Sequence, residues 1–129
     1  MKCNRPGVLA LGYSTHEPEA LLARFEAQKG KELEAYAALT QMAKAVKDNE
    51  PGCIMYAVTR GQVNAQEIYV YEIYRDQEAS QAHRRTDHLR ELQSKFDQFL
   101  NRAAFNVEIL DEVAGFIREP IDEMSGQMD

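Results

Sequence analysis

Tyr69-Val-Tyr-Glu-Ile-Tyr-Arg-Asp-Gln-Glu-Ala-Ser-Gln-Ala-His-Arg-Arg-Thr-Asp-His88 is the stretch on which the fold turns. Its first part, within Glu67 to Tyr74, is aromatic and β-branched and predicts a strand with Tyr69, Tyr71 and Ile73 on one face and Val70, Glu72 and Tyr74 on the other. Asp76 follows with a short acceptor side chain suited to capping a helix, and Glu78 favours the positive end of the helix dipole. Beyond it, Ala79, Ala82, Thr86, Leu89, Leu92, Phe96 and Phe99 form an inner stripe that drifts around the helix. The drift, and the capping chemistry of Thr86, predict a helix that breaks and restarts near that residue.

Upstream, Leu21, Ala23, Phe25 and Ala27 alternate with more polar neighbours, the period of a half-buried strand that Gly30 ends. From Lys31 to Val46, the spacing of Leu33, Tyr36, Leu39, Met42, Ala43 and Val46 predicts an amphipathic helix, closed by Asn49-Glu50-Pro51-Gly52. Cys53 to Arg60 reads as a second strand, joined to the third by a polar loop of hairpin length, Gly61 to Gln66. A last strand is expected from Asn106 to Val113, with Val107 and Ile109 on one face. Strand, helix, strand, strand, helix, strand is the order of an α+β, ferredoxin-like split βαβ fold with a four-stranded antiparallel sheet. Both helices cover one sheet face, so the opposite face, with Tyr69, Tyr71 and Ile73, predicts a homodimer that packs two sheets together. We divide the chain into an extension at 1–19, with one short strand at Val8 to Tyr13, a domain at 20–114 and a tail at 115–129.

A chain of 129 residues with 44% hydrophobic and 28% charged residues has the composition of one ordinary globular domain. The net charge of −6 opposes binding to nucleic acid and to anionic membrane surfaces, and His83-Arg84-Arg85 is too short a basic run to reverse that. Cys3 and Cys53 make no disulfide framework or metal-binding spacing, which favours a reducing, cytoplasmic setting. The apolar run at Val8 to Leu11 is too short for a signal or an anchor.

Glu72 and Tyr74 point toward the helix that carries His83, so a carboxylate, a phenol and an imidazole converge as the candidate catalytic groups. An imidazole titrates near neutrality, which makes His83 the best general base, with Glu72 orienting it. The alternative is a structural tie between His83 and Glu72 or a carbonyl. His88 sits at the helix restart, either solvated or as a partner for a phenolate or phosphate. Tyr36, Tyr56 and Phe96 are candidates, with His88, to line the substrate site, or else belong to the core. His83 and His88 are five residues apart, not the four that place two ligands on one helical face, so we assign no metal. Nor does any phosphate loop, dinucleotide fingerprint or Ser-His-Asp order suggest a cofactor or a hydrolase.

The aromatic-Glu-x-aromatic strand, followed by Ala79-x-x-x-His83 and Thr86-x-His88, resembles the signature of the antibiotic biosynthesis monooxygenase family. The resemblance runs from about Leu21 to Val113 and includes Lys29-Gly30 before the first helix and Glu50-Pro51-Gly52 after it. It implies a dimeric α/β barrel and a cofactor-free monooxygenase that oxidises a phenolic or quinol-type aromatic substrate with molecular oxygen. Haem-degrading relatives use Asn, Trp and His where this chain has Ala23, His83 and Gln93, and the chain contains no Trp. The block is also similar to the autoinducer-2 phosphate isomerase branch, which implies an isomerase of a small phosphorylated carbonyl compound as the alternative. In that reading Glu72 or His83 moves the proton and Arg84, Arg85 or His88 holds the anion. A non-enzymatic dimer that binds a small ligand is the third reading.

Overall fold

The structure, a computed structural model, describes residues 17–116 and residue 118. The strand expected at Val8 to Tyr13, Cys3 and most of the tail lie outside the described residues. Strand β1 (Glu19–Glu26) leads to helix α1 (Glu32–Asn49), the hairpin β2 (Cys53–Arg60) and β3 (Glu67–Tyr74), helices α2 (Gln77–His83) and α3 (Asp87–Phe99), and strand β4 (Asn106–Leu110). The strands form one four-stranded antiparallel sheet in the order β2-β3-β1-β4, the ferredoxin-like arrangement. Among the described residues no helix is long and apolar enough to cross a membrane.

Alternation along β1 and β3 decides which face is covered. Register pairs Leu21 with Glu72, Ala23 with Val70 and Phe25 with Ile68, so these residues share the face under the helices. Burial of that face against Leu39, Met42, Val46, Leu92, Phe96 and Phe99 makes the core. Helix α1 buries Leu39, Met42 and Val46 of the expected stripe, with Ala35 beside them, but leaves Leu33 78% exposed. Steps of three residues fall about 60° short of a full turn, so Leu33, two such steps before Leu39, lies about 120° away from it around the helix and faces solvent. Helix α2 likewise buries Ser80 and His83, not the expected Ala82.

The remaining boundaries follow local chemistry. Gly30 takes a positive φ of 86°, accessible to glycine without cost, and turns the chain from β1 into α1. The last strand stops at Leu110, short of Val113. On the uncovered face Tyr71 is exposed, and Ala20, Met55, Tyr71, Ile73, Leu110 and Phe116 line a 470 Å³ cavity there.

Candidate functional site

Three chain segments meet at one end of the sheet, and each is stopped there by a local signal. Helix α1 ends because Pro51 disfavours helical geometry at the residue before it: Glu50 has left the helix (φ −126°, ψ 80°) while its N–H still donates to the Val46 carbonyl at 2.9 Å. The Glu50 carboxylate is thereby fixed at the helix terminus. Helix α2 starts at Asp76, whose carboxylate accepts from the Ala79 N–H at 2.8 Å, and ends at His83. Thr86 joins α2 to α3: its hydroxyl donates to the His83 carbonyl at 2.8 Å and accepts from the Leu89 N–H at 3.3 Å. The expected helix restart is therefore present, with Thr86 as its cap.

This break brings together what an unbroken helix would separate. Five residues of continuous α-helix place two side chains about 140° apart around the axis. Here the His83 and His88 rings lie 6.3 Å apart and both reach Glu50. Nδ1 of His83 donates to the carboxylate at 2.9 and 3.0 Å, and Nε2 of His88 donates to Oε2 at 2.5 Å. A carboxylate has no proton to offer, so each imidazole carries hydrogen on the bonded nitrogen, and a neutral His83 ring then has its lone pair on Nε2. All three side chains are largely withdrawn from solvent, with exposures of 9% for His83 and Glu50 and 18% for His88.

The expectation that Glu72 orients His83 is corrected by this geometry: Glu50 occupies Nδ1. Glu72 is instead bonded within its own strand, accepting from the Tyr74 hydroxyl at 2.7 Å. Both groups are buried beside the imidazole, and the Tyr74 ring centroid is 5.6 Å from that of His83. Burial pushes the Glu72 carboxyl above the usual carboxylate range, partly offset by the Tyr74 hydrogen bond and the charges of His83 and Arg84. Burial and the Glu72 charge push the Tyr74 and Tyr56 phenols far above their usual range, so both are neutral donors. Tyr56, the other expected wall residue in reach, sits 6.2 Å ring to ring from His83. Cys53 lies in the same environment, its thiol raised to about 12 by burial and by the charges of Glu50 and Glu72.

Two of the expected substrate-lining residues lie elsewhere. Tyr36 is about 20 Å from Glu50 along the axis of α1, where its hydroxyl donates to the Ala65 carbonyl and Arg60 stacks over its ring. Phe96 packs in the core against Phe25 and Phe105, two helical turns beyond His88. Glu50, which joins the two histidines, enters the sequence pattern only as part of the Glu-Pro-Gly helix stop.

Clefts approach the cluster from outside. One of about 390 Å³ is lined by Glu50, Gly52, Cys53, Ala79, Ala82 and Thr86. Another, of about 560 Å³, reaches His88 between Asn49, Thr86 and Glu91. Both volumes fall in the range of small-molecule sites. An imidazole held by a carboxylate, with neutral phenols beside it and clefts at its edge, is an arrangement suited to proton transfer with a small molecule.

Comparison with known proteins agrees with the fold. The family model described as antibiotic biosynthesis monooxygenase matches residues 20–95. A crystal structure from Caulobacter crescentus that bears the same family name is 27% identical, with a TM-score of 0.71 over 78% of this chain and 93% of that one. Rv0793 from Mycobacterium tuberculosis is 24% identical, with a TM-score of 0.69 over 77% and 98% of the two chains. PA3566 from Pseudomonas aeruginosa is 20% identical, with a TM-score of 0.70 over 79% and 100%. No curated protein matches the sequence.

Proposed function

The chain belongs to the antibiotic biosynthesis monooxygenase family, and from that premise we propose that it is a cofactor-free monooxygenase acting on a phenolic or quinol-type aromatic substrate. The observation that carries this reading is the contact of Glu50 with Nδ1 of His83 at 2.9 Å, which leaves Nε2 of the neutral ring as a base on a largely buried side chain. Nε2 removes a phenolic proton, and Glu50 stabilises the imidazolium that results. The substrate anion passes an electron to molecular oxygen and the caged pair recombines at carbon. One oxygen atom stays on the ring and the other leaves as water, the substrate supplying all four electrons. The protein contributes positioning, exclusion of water and charge stabilisation. Tyr56 and Tyr74 flank the base, and Glu72 holds the Tyr74 hydroxyl.

Oxygen uptake with a panel of hydroquinones, anthrones and catechols tests this. We expect uptake that survives chelation and falls roughly 10² to 10⁴-fold in His83→Ala. No uptake across the panel, or full uptake in the variant, overturns the assignment.

Isomerisation of a phosphorylated carbonyl compound is the second reading, favoured by the raised Glu72 carboxyl beside His83 and by Arg84, whose charge acts on Glu72. A proton donor and a base so placed suit transfer between adjacent carbons. Solvent deuterium incorporated into such a substrate without oxygen uptake selects it. In either reading we propose a homodimer joined through the sheet face that carries Tyr71, for which the exposure of that apolar face is the support. Sedimentation as a monomer at micromolar concentration contradicts it.

A further inference from the structure

We propose that Glu50, His83 and His88 form a site for one divalent transition-metal ion, and that the metal and the base function of His83 exclude each other. Each residue offers one donor atom, and the three donors lie within 4.8 Å of one another. The spacing objection to a shared ligand set applies only to a continuous helix, and the turn at Thr86 removes it. Two imidazole nitrogens and one carboxylate oxygen suit zinc, cobalt or iron(II), whereas magnesium and calcium prefer oxygen alone. Bonds of about 2.0–2.2 Å hold neighbouring donors roughly 3.3 Å apart. To reach that spacing the 2.9 Å from His83 and the 2.5 Å from His88 to Glu50 Oε2 open by roughly 0.4 and 0.8 Å, and the two imidazole nitrogens, within 4.8 Å of each other, close by at most roughly 1.5 Å. Three protein ligands leave further positions for water, and the cleft at His88 gives an entry path.

The exclusion follows from the tautomer. While Nδ1 of His83 donates to Glu50, the ring proton is on Nδ1 and Nε2 is basic. A metal bound through Nδ1 takes that lone pair and moves the ring proton to Nε2, which then has nothing to accept with. The metal is therefore an inhibitor of the proton transfer, and only this consequence rests on the function proposed above.

Binding and turnover are measured separately. The full-length protein, stripped with a chelator, is titrated with cobalt(II) by visible absorption and with zinc by calorimetry. We expect one ion per chain, with intense d–d bands that are lost in Glu50→Gln, in His83→Ala and in His88→Gln, each checked for native circular dichroism. No stoichiometric binding, or binding unchanged in all three variants, overturns the site. Nitrogen NMR of the His83 ring should show its proton on Nδ1 in the stripped protein and on Nε2 with zinc; an unchanged tautomer overturns the exclusion. Oxygen uptake should fall in proportion to zinc occupancy and return with chelator, and uptake that rises with zinc overturns the exclusion as well. Cobalt bands in a protein with no uptake on any substrate retain the metal site and remove the oxygenase reading.

Discussion

Gly52 and Ala79 are so close that a methyl group on Gly52 would stand 2.6 Å from the Ala79 Cβ. The Gly52 carbonyl also accepts from the Arg75 N–H at 2.7 Å, so the start of β2, the end of β3 and the first turn of α2 are joined at one point. The Ala79 methyl is fixed on a helix and cannot swing aside, whereas the next neighbour, the Arg75 guanidinium with Nη2 at 3.3 Å, is a flexible tip that can. Gly52→Ala must therefore lift α2, and His83 with it, away from Glu50. We expect a loss of about 1–3 kcal/mol in stability, together with a changed His83 ring resonance. A variant with unchanged melting temperature and an unmoved histidine signal would show that α2 is not seated by this contact.

Cys53 should be nearly inert to alkylation. Its thiol is raised to about 12, so at pH 8 roughly one molecule in 10,000 carries the thiolate that reacts. In a Cys3→Ser chain, iodoacetamide should modify the native protein at least several hundredfold more slowly than the denatured protein. Equal rates would mean that Cys53 is not shielded by burial and the nearby carboxylates.

Glu72 gives a pH dependence of defined sign. Its carboxyl is raised above the ordinary glutamate value of 4.5 by burial, so the folded protein binds that proton more tightly than the unfolded chain does. The stability this contributes is complete below about pH 4.5 and is lost as pH rises through the raised folded value. Glu72→Gln keeps an oxygen for the Tyr74 hydroxyl but has no charge to bury. The variant should gain on the wild type as pH increases from 4.5, then level off; a difference that shrinks with pH over that window would reverse the inferred shift.

Phe96 should behave as core. It packs between Phe25 and Phe105, with the Arg102 guanidinium over its ring. We expect Phe96→Ala to cost about 3–5 kcal/mol. Where enough folded protein remains, KM for any substrate should be unchanged. A KM effect without loss of stability would return Phe96 to the substrate wall.

The parts of the fold that were legible are those written in local pattern. The β3 alternation, the Asp76 cap, the hairpin and the Thr86 restart all rest on neighbours within a few residues, and all are present. Leu33 falls off the buried face because three-residue steps lag the helical turn, so an apolar series read in threes drifts around the axis. Within the site, His83, Glu72 and Tyr74 fall together because the strand pleat and the first turn of α2 are both readable. Glu50 is not legible: its partner His83 is 33 residues away, and nothing in Glu50-Pro51-Gly52 distinguishes a carboxylate that accepts from an imidazole from a helix stop. Tyr36 failed for the related reason that distance along α1, not residue type, decides which end of the sheet it serves.

The bond between Gly52 and Arg75 has a kinetic consequence. It closes the base of the β2–β3 hairpin, the most local pairing in the sheet, and it does so directly beside Glu50 on one side and Asp76 on the other. Once that clasp shuts during folding, the remaining search for Glu50 and His83 spans one short helix rather than a 33-residue loop. A chain reopened at the Gly61 to Gln66 loop, with residues 1 and 129 joined, would have to find the same clasp from its two extremities. It should reach the same native arrangement, but more slowly, with the cluster assembling last.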